Sequence, residues 1–208
     1  MSEDTAVVTV ADAAGWSSWL AEHGRQTEGV WLALAKKGTI EPTSLTYEEA
    51  LEEAVCHGWV DGRLAKGDQR TFLRRFTPRR AGSGWSKRNV ALATRLIEEG
   101  RMLPGGQAVI ERAKADGSWD RAYEGQGTIE VPLDLASAMA ANPAALAMFE
   151  RLGSANRYAV LYRVTTAKRE ETRRRRVEQF VAMLARGEVV HPQRGPSRQS
   201  GPGTAAPR

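Results

Sequence analysis

The groups best able to do chemistry are concentrated between Trp59 and Asn89. Trp59 and Asp61 stand two apart, so on a strand they share one face while Val60 points to the other. Arg75 and Thr77 follow on a second extended run, and then come Arg79, Ser83, Trp85, Ser86 and Asn89. Guanidinium groups present forked donors that match carboxylate or phosphate, and serines just before a helix start add hydroxyls beside exposed backbone N–H groups. Glycines at 82 and 84 permit close backbone approach. The combination points to an anion-binding hairpin and loop, with an anionic small molecule or cell component as its partner. The plainer reading uses the same residues differently: Ser86 caps a helix, Trp85 seals a core, and an Asp–Arg pair stabilises the hairpin. A phosphate-binding P-loop is excluded, because no Gly-Lys-Ser/Thr pattern occurs.

A second reading makes the protein an enzyme on an organic substrate, with Asp61 as acid or base and Arg79 stabilising developing negative charge. Register decides whether it is available. The face carrying Asp61 meets either Arg75 and Thr77, or Phe72, Arg74 and Phe76, and an aspartate beside an arginine is ionised and oriented rather than poised as a base. Cys56 and His57 adjoin, but neighbours on a helix diverge by about 100° and do not face one reacting atom. A small buried thiol beside a partly exposed imidazole is expected instead. Histidines at 23, 57 and 191 form no His-x-x-His or Cys-x-x-Cys spacing, so neither a metal nor a cofactor is expected.

These residues need elements to hold them. Val7 to Val10 reads as a short strand and Ala11 to His23 as a helix with Trp16, Trp19 and Leu20 at helical spacing. The apolar run Val30 to Ala35 suits a central strand covered on both faces, with Trp31 in the core. Thr46 and Glu49 have the form of a capping box before a helix that ends near Gly58. Trp59 to Leu64 and Arg70 to Thr77 then form a hairpin around Gly67-Asp68, which Pro78 ends. Ser86 caps a helix closed by Gly100, and Pro104 opens another. The glycines at 117, 125 and 127 read as a linker. Beyond it the pattern is helical, with Val177, Phe180, Val181 and Leu184 on one face. The expected class is α+β: a domain over residues 1–124 with a small mixed sheet and flanking helices, an all-helical domain over 125–190, and a disordered tail over 191–208.

Charge narrows the possible partners. Net charge is +5, yet residues 1–150 carry 17 basic and 21 acidic groups whereas 151–208 carry 13 and 4. Within the first part, Glu41 to Asp61 holds six acids and no Lys or Arg, and Arg63 to Arg101 holds eleven basic groups against three acids. A positive field beside a negative one concentrates anions without choosing among them. Arg173 to Arg176 raises nucleic-acid or acidic-partner contact as a third reading. Four consecutive residues spread around a helix, however, and a solvated face paired with Glu170, Glu171 and Glu178 accounts for them more simply. No apolar run approaches the roughly 20 residues of a membrane span, and the acidic start lacks a secretory signal, so the cytoplasm is expected. A single cysteine, Cys56, agrees with a reducing compartment.

Three motifs are distinctive as strings: Ala54-Val55-Cys56-His57-Gly58-Trp59-Val60-Asp61-Gly62, Arg75-Phe76-Thr77-Pro78-Arg79-Arg80, and Gly82-Ser83-Gly84-Trp85-Ser86-Lys87-Arg88-Asn89. With Leu96 to Met102, Ala113 to Gly117, Asn142-Pro143, Phe149 and the run Ala167 to Arg176, the chain resembles the YdeI or OmpD-associated family of bacteriocin-protection proteins. His57 departs from the pattern, which has an aromatic after the cysteine, and the segment after Gly187 lies outside the likeness. The resemblance implies a cytosolic bacterial protein linked to stress tolerance toward bacteriocins or cationic antimicrobial peptides.

Overall fold

Four strands build one mixed sheet in the order β1-β2-β4-β3. β1 (Val7–Val8) runs parallel to β2 (Val30–Ala35), β2 pairs antiparallel with β4 (Thr71–Pro78), and β4 pairs antiparallel with β3 (Trp59–Lys66). The computed structural model describes residues 7–24 and 28–192. The chain divides into two compact units, Met1–Tyr123 and Glu124–Arg208. The first holds the sheet and its flanking helices and the second is helical, an α+β protein.

Alternation along the strands decides which residues reach the core of the first unit. Val30, Leu32 and Leu34 lie opposite Phe76, Arg74 and Phe72, so these six share a face. On that face α1 (Ala13–His23) contributes Trp16 and Leu20, and α2 (Tyr47–Cys56) contributes Ala50 and Ala54, to one buried cluster with Trp59 and Phe76. Trp31 belongs to the other face. It is half-buried and lies outside that cluster, with the Arg75 guanidinium 5.9 Å from its ring centre, so the reading of Trp31 as a core residue is corrected. Its strand is central in the sheet, but being central does not cover both faces.

The capping box at α2 is present in both directions: Thr46 accepts from the Glu49 backbone, and the Glu49 carboxylate accepts from the Thr46 backbone. The helix ends at Gly58, whose φ of 81° is readily adopted only by glycine. A Cβ at Gly106 would lie 2.4 Å from the Cys56 carbonyl oxygen, so α4 (Pro104–Ala115) starts pressed against the end of α2. Leu51, Val55 and Cys56 of α2, Ala93 and Leu96 of α3 (Lys87–Glu98), and Ile110 and Ala113 of α4 close a second cluster around Trp85.

The acidic and basic runs of the sequence do not form two opposed fields, because folding sets them against each other. Glu52 accepts from Arg95 and from Arg101, Glu53 accepts from Arg101 at 2.8 Å, and Arg95 also reaches Glu99 at 2.7 Å. Of the expected linker, the part up to Tyr123 packs within the first unit, which ends there. Trp119 meets Trp85 edge-on at 4.8 Å, and the Tyr123 backbone exchanges hydrogen bonds with Trp85 and Lys87.

In the second unit α5 (Leu133–Ala140), α6 (Pro143–Glu150), α7 (Ser154–Thr165) and α8 (Glu170–Ala185) enclose Leu135, Phe149, Leu161, Val177, Phe180 and Leu184. Asn142 caps α6 by accepting from the Ala145 backbone. The arginine run is partly engaged, mainly outside its own helix: Arg173 grips Asp134 of α5 with two bonds of 2.6 and 2.9 Å, with Glu170 adding a weaker attraction, and Arg176 donates to the Arg163 carbonyl. Of the expected tail, residues 193–208 lie outside the described residues, and the His191 backbone N–H donates to Asn156 at 2.8 Å. Among the described residues no helix is long and apolar enough to cross a membrane.

Candidate functional site

Arg79 follows the last residue of β4 and is pinned by its own backbone, whose N–H donates to the Gly58 carbonyl. Its side chain is turned inward and is only 6% exposed. The guanidinium lies 3.7 Å over the Trp85 ring, and its Nη1 donates to the Gly84 carbonyl at 3.1 Å. Its Nε is buried without a hydrogen-bond partner, and among the described residues no carboxylate pairs with it. Burial pushes its pKa down to about 10, which leaves it charged at neutral pH. A displacement of that size corresponds to roughly 3 kcal/mol of net disfavour for the charged form, after partial offset by Tyr123 and Asp61.

A small cleft opens beside this cation. Arg79, Arg80, Ser83 and Trp85 form one wall, and Val109, Arg112, Ala113, Asp116 and Ser118 form the other. Three arginines stand against one aspartate, so the balance is positive. The cavity volume is about 10 Å³, close to what one water molecule needs. The Ser118 hydroxyl donates to the Ala113 carbonyl, and its backbone N–H donates to Asp116 at 2.8 Å.

The residues expected to form the site are divided by the fold. Arg79, Ser83 and Trp85 meet at this cleft. Trp59 is 1% exposed and packs edge-on against Trp16 and Trp19, which makes it core rather than pocket wall. Asp61 pairs with Phe76 in register, so its partner is Arg74 of the same face, and it also accepts from the Tyr47 hydroxyl at 2.9 Å. Arg75 and Thr77 alternate with Arg74 and Phe76 and so belong to the other face. Ser86 is occupied as a cap, accepting from the backbone N–H of the buried Asn89, and the Lys87 N–H donates to the Tyr123 carbonyl. The expected cradle of free N–H groups at the start of α3 is therefore corrected at these two positions. The positive element beside the loop is the guanidinium cluster.

Asp61 fits a structural part better than that of an acid or base, because a tyrosine and an arginine already hold its carboxylate. The Arg74 guanidinium lies 4.9 Å from the Tyr47 ring centre, and burial followed by Asp61 raises the Tyr47 pKa. Cys56 is buried, and burial pushes its thiol up to about 11. Against its ordinary value of 9.0, the native thiol at pH 8 should react with a disulfide reagent about a hundredfold more slowly than in urea. Equal rates would contradict the burial. The thiol's contribution to stability is full below its unfolded pKa and is lost as pH rises through about 11. The neighbouring imidazole has a partner that the sequence did not reveal: His57 Nε2 lies 3.0 Å from the Ser17 hydroxyl of α1, and burial lowers its pKa. Neither group lines the Arg79 cleft.

Arg112, Asp116 and Ser118 were missed because about thirty residues separate them from Arg79 in the chain. The available signal was Gly105-Gly106 at the start of α4, which marks a close approach to another backbone.

The molecule is thus an α+β unit with a cationic cleft, followed by a helical unit. Residues 128–187 match the family described as Bacteriocin-protection, YdeI or OmpD-Associated, and so carry the resemblance read from the sequence. Residues 8–109 match a domain of unknown function (DUF8412), and most of the motifs between Ala54 and Gly117 fall in that segment. No curated protein and no solved structure matches the chain.

Proposed function

We propose that the protein binds a small anion, or the anionic group of a larger cell component, at the Arg79 cleft, and that it acts in the cytoplasm in protection of the bacteriocin type. The observation that carries the binding is a buried guanidinium that makes no ion pair among the described residues and whose Nε has no hydrogen-bond partner, with Asp61 acting on it only at longer range. Such a charge is strongly disfavoured unless paired, so a ligand carboxylate or phosphate oxygen supplies what the fold leaves out. With room for about one water-sized atom, the cleft takes a single ligand oxygen inward while Arg80 and Arg112 meet the rest at its mouth. The match of residues 128–187 supports the protective role. Direct capture of cationic peptides is the weaker version, since net charge is +5 and the acids at 52 and 53 are already paired.

Titrating acetate and inorganic phosphate into the full chain, with the summed tryptophan emission to which Trp85 and its neighbour Trp119 contribute as the readout, tests the proposal. Saturable binding is expected. Arg112→Gln should weaken it severalfold, and Lys66→Gln, on β3 and outside the cleft, should leave it unchanged. Equal weakening by both substitutions would mean diffuse attraction rather than a site.

A further inference from the structure

The second unit contains a larger opening that the Arg79 reading does not use. Arg163 near the end of α7, Arg176, Gln179 and Arg186 along and just after α8, and Glu188 surround a floor of Phe180, Met183 and Val190. Its volume is about 430 Å³, in the range of small-molecule sites. At roughly 30 Å³ for each water-sized atom, that is space for about a dozen heavy atoms.

The polar rim is unevenly satisfied. Arg186 is held by Glu188 through two bonds of 2.8 and 2.9 Å. Arg176 spends one donor on the Arg163 carbonyl, which ties α8 to the last turn of α7. The Arg163 guanidinium has no hydrogen bond or ion pair with any of the described residues, and it is exposed. Three arginines thus face one glutamate, and the glutamate is already matched by one of them. Beneath them lie an aromatic ring, a thioether and a valine, a surface that favours hydrocarbon.

We propose that this groove binds an amphipathic carboxylate: a single acidic head gripped by Arg163 and Arg176, with a hydrocarbon body of about ten carbons laid on Phe180, Met183 and Val190. Charge complementarity selects the head, because planar guanidinium groups bind a carboxylate through paired N–H donors. The apolar floor selects the body, and the volume limits its length. A free phosphate would leave the floor uncovered, and a neutral alcohol would leave Arg163 without its counter-charge.

Isothermal titration of the full chain with decanoate, decanol and acetate, each below its aggregation concentration, tests the inference. In Arg79→Met, which lacks the anion cleft of the first unit, decanoate should bind with one site per chain, and decanol and acetate should each bind at least tenfold more weakly. Arg163→Gln, a change at an exposed helix position, should weaken decanoate at least fivefold with unchanged circular dichroism. The wild-type chain should show, beside this site, only the head-group binding at the Arg79 cleft that acetate shares, which separates the two sites. Equal affinity for decanol, equal affinity for acetate, or an unaffected Arg163→Gln variant would each overturn the proposal. So would binding to phosphatidylglycerol vesicles without binding of monomeric decanoate, which would assign a membrane surface instead.

Discussion

Replacing Arg79 with methionine is expected to leave the unliganded protein within about 2 kcal/mol of wild-type stability while abolishing its stabilisation by anions. The losses are the contact with Trp85, worth roughly 0.5–2 kcal/mol, and the charge-assisted bond to the Gly84 carbonyl, roughly 1.5–3 kcal/mol. The gain is removal of a buried cation whose depressed pKa reflects about 3 kcal/mol of net disfavour for the charged form. The two sides nearly cancel, since methionine fills the space over Trp85 without a charge. Sign supports the same reasoning. A basic group whose folded pKa is lowered opposes folding below that pKa, and the penalty fades as pH rises through about 10. Denaturant titration with and without phosphate checks both halves. A loss of several kcal/mol in the unliganded variant would mean that the cation is a structural member of the loop rather than a binding group held in readiness.

The second large effect is expected at Asp61. Changing it to asparagine should cost about 2–3 kcal/mol, because Arg74 would then keep a half-buried charge with no counter-ion. The side chains of Arg74 and Asp61 are 23% and 15% exposed, so the cost falls below that of a fully buried pair. Arg74 Nε is already without a partner, which leaves little to compensate. The double variant Asp61→Asn with Arg74→Met should recover most of the loss, giving a coupling of about 1.5–3 kcal/mol in the cycle with the two single variants. Urea unfolding of the four proteins measures it. A stability-neutral Asp61→Asn would remove the structural account of this carboxylate and reopen the reading of it as an acid or base.

The parts of the fold legible in the sequence were those encoded by near neighbours. Thr46 and Glu49 announce a helix start three residues apart, Ser86 does the same for α3, and Gly58 and Gly100 mark helix ends with positive φ. The hairpin was legible from Gly67-Asp68 and Pro78. Its register was not, because the pairing shifts between Asp61 and Leu64, around Gly62, and that irregularity gives Asp61 to Arg74 rather than Arg75. Trp31 shows a second limit: a continuous apolar run shows that a strand is central but not that something packs on each face. The arginine helix shows a third, since Arg173 chose Asp134, which lies 39 residues away.

For the candidate site the division is similar. Arg79, Ser83 and Trp85 could be found because one loop carries them together. Ser86 and Asn89 were credited with ligand contact when the helix start already used the serine hydroxyl. The opposite wall, Arg112 to Ser118, exists only because Gly58 and Gly106 let α4 approach the end of α2. What turns an arginine-rich loop into a distinct cationic site is burial without a partner, and no residue pattern announces that.

A crystal structure of the full chain soaked in selenate tests the central claim most directly, because the anomalous signal of selenium locates the anion without reference to the protein. The expected peak lies within hydrogen-bond reach of the Arg79 guanidinium and between Arg80 and Arg112. Peaks confined to exposed arginines elsewhere, with the Arg79 cleft empty at saturating selenate, would contradict it.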